Sequence, residues 1–329
     1  MVAVAEARPH GRWRDLLEGR RFLAAVLIGP AVIFILALVG GPLVLALYLS
    51  LTDATGGTLT GEWVGLDNFT NAWADPNFRR ALRNTILFTV VSQAIVLLCA
   101  GLIAHALMRP IRGRWILRFL ILLPWAAPVP LSTIGWLWIY DSLFSVVNWT
   151  LVHDLMPGGR TFYIYKVVNW LPMPFAAIEP FNPPQWLGDP NRALAAVTSV
   201  HAWRIIPFAV VIFIAGLASI PTEVEDAAKV DGATGLKKFW YVTLPLQLPI
   251  ATVAVLFGIV FTATDMTVVY ILTQGGPFNS TQMLTTWAYF TGIRSGSLGE
   301  GAAVSLYLLP LLIIVAVLML RFARKVEVS

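Results

Sequence analysis

The sequence predicts an all-α, polytopic membrane protein with about six transmembrane helices. Three observations carry that reading. The 329 residues are 57% hydrophobic and only 12% charged. Mean hydropathy is +0.74. Several nearly uncharged runs reach about twenty residues, enough as helix to cross a ~30 Å hydrocarbon core. Soluble domains carry roughly 25% charged residues, so a water-soluble globule is excluded. The net charge of +5 reads as orientation rather than as affinity for nucleic acid, because the basic residues are unevenly placed. The single Cys99 permits no internal disulfide framework.

In chain order, the apolar runs place spans at about 22–50, 84–108, 116–140, 194–218, 250–273 and 301–321. Residues 1–21 form a tail in which "GRWRDLLEGRR" reads as either a basic amphipathic surface helix or a solvated segment. The first run, from Phe22, is longer than a signal-peptide core and lacks a small-residue cleavage site, so it reads as a retained anchor. With the N-terminus in the cytoplasm, the 109–115 turn, the 219–249 loop and the 322–329 tail share one side. That side then holds Arg8, Arg12, Arg14, Arg20, Arg21, Arg109, Arg112, Arg114, Arg118, Lys229, Lys237, Lys238, Arg321, Arg324 and Lys325, fifteen of the 23 basic residues. The positive-inside rule selects this orientation. Outside lie 51–83, a long aromatic and Pro-rich loop at 141–193, and 274–300.

The loop "EDAAKVDGATGLKKFWYVTLPLQLP" spells helix–turn–helix. Thr222 and Glu225 have capping-box spacing. Glu223, Glu225 and Asp226 suit the first turn, and Glu225 with Lys229 is spaced for an i,i+4 pair. Ala227 and Ala228 favour helix and let a neighbouring backbone approach. Gly232 stands where a left-handed C-terminal residue is expected. A second helix is expected over about 236–242, stopped by Pro245.

"DAAKVDGA" followed by "LP" resembles the cytoplasmic signature loop of permease subunits of bacterial ATP-binding-cassette importers. The family's leading Glu is Asp226 here, which keeps the charge. "WVGLDNF", "DPNFRRALRNT", "WRIIPF", "AGLASIP" and "ILTQGGP" recur in the same order in the carbohydrate-uptake, maltose-permease-like branch. The resemblance implies the type I importer permease fold over 22–321. It also implies an ATPase-coupling helix carrying Glu225, Asp226, Ala227, Ala228, Asp231, Gly232 and Ala233. Its implied partners are two ATPase subunits that bind ATP and magnesium, a second permease subunit, a heterodimeric arrangement, and an extracytoplasmic solute-binding protein. The outer segment 157–183 exceeds the branch's usual length.

No G-x-x-x-x-G-K-[ST] loop is present, so the chain is expected to bind no nucleotide. His10, His105, His153 and His201 are scattered, and no zinc motif or catalytic triad is visible by spacing. The chain therefore reads as no enzyme and as carrying no cofactor. Ionisable residues at membrane depth face a bundle interior or a wet cavity. His201, Arg204, Ile205 and Phe208 recur every three or four residues and share one helical face, as do Thr262 and Asp265. The resemblance places these six at substrate-contacting positions. By chemistry alone, Arg204 and Asp265 fit equally an ion pair between two spans, and His201 a helix–helix hydrogen bond. A sugar or oligosaccharide is the expected cargo. Glycerol phosphate is the alternative, since Arg204 and Arg294 suit an anion. A proton-coupled transporter using His201, Arg204 and Asp265, or a membrane scaffold, would need no such ordered loop.

Overall fold

The computed structural model describes residues 20–58, 60–152 and 184–328. Most of the expected tail 1–21 and the outer segment 157–183 lie outside the described residues. Among those described, helices carry the architecture, with two isolated antiparallel bridges, Thr52 to Trp63 and Thr55 to Thr58.

Helix α1 (Arg20–Ile35) runs through a π-helical turn, Leu36–Gly40, into α2 (Gly41–Ser50). The short α3 (Asp67–Ala74) precedes the long α4 (Pro76–Met108). Next come α5 (Arg114–Ala126), α6 (Val129–Ile139) and α7 (Val146–Val152). The long α8 (Pro190–Ala218) leads to α9 (Thr222–Val230) and α10 (Gly235–Lys238). A second π turn, Phe239–Thr243, joins α10 to α11 (Leu244–Ala263). The chain closes with α12 (Thr267–Leu272), α13 (Leu284–Tyr289), α14 (Leu298–Leu306) and α15 (Leu308–Val328).

Among the described residues five helical stretches are long and apolar enough to cross a membrane, and a bent pair makes up to six. The bent pair occupies the span expected at 116–140. Helices α5 and α6 meet at 96°. Ala127 is extended (φ −69°, ψ 140°) because it precedes Pro128, whose ring disfavours the helical region at the residue before it. At thirteen residues, α5 is about 20 Å long and falls short of the hydrocarbon thickness alone.

The expected stop at Pro245 is overturned. The helix continues from Gly235 to Ala263 through a π turn, Phe239–Thr243, just ahead of Pro245, and Leu244 keeps helical dihedrals (φ −63°, ψ −47°). The first span also has a π turn, Leu36–Gly40, just ahead of Pro42, and it passes Pro30 without one. The fifth span ends earlier than expected, at Ala263 rather than 273, and Asp265 stands in the break before α12.

Two spans start earlier than the apolar runs suggested, each on an Asp-Pro-Asn signal. Asp75 accepts from the Asn77 amide (2.8 Å) ahead of Pro76, and Asp189 accepts from the Asn191 and Arg192 amides (3.1 and 3.0 Å) ahead of Pro190. An Asp cap followed by Pro satisfies the orphan amides of a helix start. The two helices so begun, α4 and α8, form the most extensive packing in the bundle. Small side chains set their seam with α11: Ala100, Ala104, Ala202, Ala209 and Ala254 are buried together around Ile205 and Phe213. In a membrane, such small residues let helices approach closely. A second core gathers Phe88, Val197, Val200, Val268, Val269 and Met283, and a third joins Phe78 and Ala81 to Leu284, Val304 and Leu308.

Candidate functional site

Helices α8 and α11 are the two arms of a hairpin whose tip is α9 and α10. At the tip, α9 starts on Pro221, so the Thr222–Glu225 capping box does not form: Thr222 is already inside the helix, and the Glu225 amide bonds to the Pro221 carbonyl (3.4 Å). The far end closes as expected. Gly232 is left-handed (φ 70°), its amide bonds to the Lys229 carbonyl (3.1 Å), and the Ala233 amide reaches back to the Ala228 carbonyl (2.8 Å). That pair of bonds is the Schellman closure of a helix.

The expected Glu225–Lys229 pair is replaced by two others. Lys229 Nζ bonds to Asp226 Oδ1 at 2.7 Å, and Lys238 Nζ to Glu225 Oε2 at 3.0 Å. Lys238 returns on α10, which places its ammonium beside Glu225 and leaves Lys229 to Asp226. The Lys229 hydrogen bond and charge hold the Asp226 carboxyl below its ordinary value. Asp226, Ala227, Asp231 and Gly232 are exposed, Ala228 is buried, and Val230 stands 88% exposed at the tip.

Near the middle of α8 a polar knot ties the arms together. His201 is fully buried; its Nδ1 donates to Asp265 Oδ2 (2.6 Å), and its Nε2 faces Thr262 Oγ1 (2.9 Å). Arg204 Nη2 donates to the same Asp265 oxygen (2.6 Å), while Asp265 Oδ1 accepts from the Val268 amide (3.2 Å). Phe88 of α4 covers the imidazole, ring centroids 5.0 Å apart. One turn along, Phe208 stacks on Trp125 (5.0 Å) and packs against Phe261 (5.6 Å) and Phe257 (6.1 Å). Ile205 is buried behind, in the α4–α8 core.

Residues 97–328 match the family described as binding-protein-dependent transport system inner membrane component. The chain belongs to this family. It is similar to the sulfoquinovosyl glycerol transport system permease protein SmoG of Agrobacterium fabrum, 30% identical over 95% of this chain and 93% of that one. The sn-glycerol-3-phosphate transport system permease protein UgpA of the same organism is 28% identical over 93% and 96%. The trehalose/maltose transport system permease protein MalF of Thermococcus litoralis is 28% identical over 80% of each. Among solved structures, a bacterial ABC transporter involved in the import of the acidic polysaccharide alginate superposes with a TM-score of 0.73 at 17% identity, covering 95% of this chain and 98% of that one. The same fold recurs in a bacterial alginate ABC transporter in complex with alginate pentasaccharide-bound periplasmic protein, with a TM-score of 0.73, 16% identity, and 96% and 98% coverage. The shared fold is that of an ATP-binding-cassette importer permease.

In this permease the six expected path residues divide. His201, Arg204, Thr262 and Asp265 come together in one knot, although the helix break puts Asp265 beyond the end of α11. Ile205 is sealed in the core, and Phe208 belongs to the aromatic cluster. Sequence reasoning missed Trp125, Phe257 and Phe261, although Phe257 and Phe261 stand four apart on α11. It also missed Gln93. This permease residue is buried, neither of its amide atoms has a partner among the described residues, and it lies against Gly258, where a Cβ would overlap it. The Gly258 carbonyl accepts from Thr262 (2.6 Å), so this free donor and acceptor lie next to the knot.

Proposed function

We propose that this permease lines the translocation path of an ATP-driven importer for a sugar or related polyol, and that work enters through the α9 hairpin tip. The observation that carries this is the hairpin itself: a capped, exposed helix at the tip, and two long arms tied to each other by the His201–Arg204–Thr262–Asp265 knot. A push at Glu225, Asp226, Asp231 or Gly232 then moves both arms as one lever. In this reading the tip docks on an ATPase subunit, where ATP and magnesium bind. Two such subunits, a second permease chain and an extracytoplasmic solute-binding protein complete the machine. The permease itself supplies no nucleotide site or cofactor. The uneven Lys and Arg distribution supports cytoplasmic termini and a cytoplasmic tip. ATP favours one state of the motor by its differential contacts, and the lever transmits that bias to the path.

For cargo, the names of the relatives span sulfoquinovosyl glycerol, sn-glycerol-3-phosphate and trehalose/maltose. Arg204 is already neutralised by Asp265, which favours a neutral glycoside resting against the aromatic cluster. A second reading, an anionic polyol, is favoured by Arg294. It is exposed, lies 5.4 Å over the Phe290 ring, and pairs with no carboxylate among the described residues. Uptake of radiolabelled neutral disaccharide and of glycerol phosphate by the assembled importer separates the two. The expected result is saturable uptake of the neutral glycoside, unaffected by excess glycerol phosphate. Uptake of glycerol phosphate alone, abolished by Arg294→Gln, would replace it with the second reading.

A further inference from the structure

From Pro76 to Tyr140 the chain contains no Asp or Glu, yet Arg109, Arg112, Arg114 and Arg118 fall within ten residues at the α4–α5 turn. None of the four pairs with a carboxylate among the described residues. Arg109, Arg112 and Arg114 are exposed. Arg118 reaches back across the turn to the Leu107 carbonyl (3.4 Å), and its Nε is buried without a partner. Gly113 (φ 77°) supplies the left-handed turn that brings the end of α4 against the start of α5. Beside the arginines, Trp115 is 74% and Phe119 61% exposed, four residues apart on one face of α5. Ile116, Leu120 and Leu123 continue an exposed apolar flank away from the turn. His105, in the last turn of α4, lies 5.3 Å from the Phe239 ring, so this patch is at the hairpin-tip end of the bundle. Trp240 and Tyr241 are exposed at the same end.

We propose that this turn is a binding site for the phosphate headgroup of an anionic phospholipid. Four uncompensated guanidiniums match phosphate oxygens in geometry and charge. They stand where an aromatic pair and an apolar flank mark the border between headgroup and hydrocarbon. A soluble protein partner would complement the arginines but leave that flank without cover. A lipid, with one charged head and apolar tails, covers both. Because α5 also packs against α8, a bound headgroup steadies the base of one hairpin arm.

The test uses the full importer assembly purified in mixed micelles of phosphatidylcholine and phosphatidylglycerol, with retained lipid counted by native mass spectrometry. The expected result is that phosphatidylglycerol is retained over phosphatidylcholine, and that millimolar inorganic phosphate does not displace it. The quadruple variant R109Q/R112Q/R114Q/R118Q should lower that preference by about tenfold or more, and the matching quadruple Lys variant should keep most of it. Three outcomes would overturn the proposal: no preference in the parent assembly, equal preference in the Gln variant, or displacement by free phosphate alone. Loss of ATPase subunits from the Gln variant in phosphatidylcholine would also overturn it, because that places a protein on the patch. If the Gln variant fails to assemble, the parent's own lipid preference still decides.

Discussion

Asp265→Leu is expected to destabilise the assembled permease severely, and adding Arg204→Met is expected to recover the part of the loss that comes from the stranded guanidinium. Asp265 Oδ2 receives both His201 Nδ1 and Arg204 Nη2 at 2.6 Å, with only 4% of the Asp side chain exposed. Removing the carboxylate strands a guanidinium and an imidazole donor in a poorly hydrated interior. Breaking one side of a buried pair costs about 3–5 kcal/mol, whereas replacing the whole pair with apolar groups is often neutral. The loss is felt twice, because Asp265 also holds the Val268 amide at the start of α12. Thermal melting of the purified complex checks this. Parental melting of the Leu variant would remove the knot as a structural tie. No recovery at all in the double variant would show that the Arg204 charge contributes nothing to the loss.

Gly232→Val is expected to uncouple transport from ATP hydrolysis, while Gly232→Asn keeps most of the coupling. Beyond its chain neighbours, no atom lies within 4 Å of where a Cβ at position 232 would stand, so the added carbon has room. The effect is backbone alone. A left-handed conformation costs an ordinary L-residue roughly 1–2 kcal/mol, more for a β-branched one, while Asn tolerates it. That energy corresponds to about a 5–30-fold shift in the population of the closed turn. The Ala233–Ala228 and Gly232–Lys229 bonds open with it, and Asp231 and Ala233 leave the arrangement in which the proposed docking tip presents them. Solute imported per ATP hydrolysed is the readout. Equal ratios in the parent and the Val variant would show that the tip's shape is irrelevant.

What could be read without coordinates follows a physical line. Spans were legible because an uncharged run of about twenty residues has few alternatives to crossing a bilayer. Starts were less legible: hydropathy pointed to residues 84 and 194, while the Asp-Pro-Asn caps begin α4 and α8 at Pro76 and Pro190. That signal was local and available. Prolines were ambiguous, since Pro128 bends the chain by 96° while Pro245 sits in an unbroken helix. The difference lies in the preceding residue: Ala127 is extended ahead of Pro128, whereas Leu244 stays helical ahead of Pro245. At the site, in-helix spacing grouped His201 with Arg204, both of which reach Asp265, but the helical face expected for Thr262 and Asp265 is broken because α11 ends at Ala263. The meeting of His201 and Arg204 with Asp265, 61 to 64 residues apart in sequence, is tertiary. Likewise Gly232 was legible as a cap, but Lys238, arriving from α10 beside Glu225, was not.

Solute uptake into proteoliposomes tests the central claim most directly. This chain and its second permease partner are reconstituted with or without ATPase subunits, and a proton gradient is applied in both cases. The account predicts no accumulation from the permease chains alone. Accumulation should appear only when the ATPase subunits, ATP and loaded binding protein are all present. Gradient-driven accumulation without the ATPase would contradict it, and would return His201, Arg204 and Asp265 to the role of a proton path.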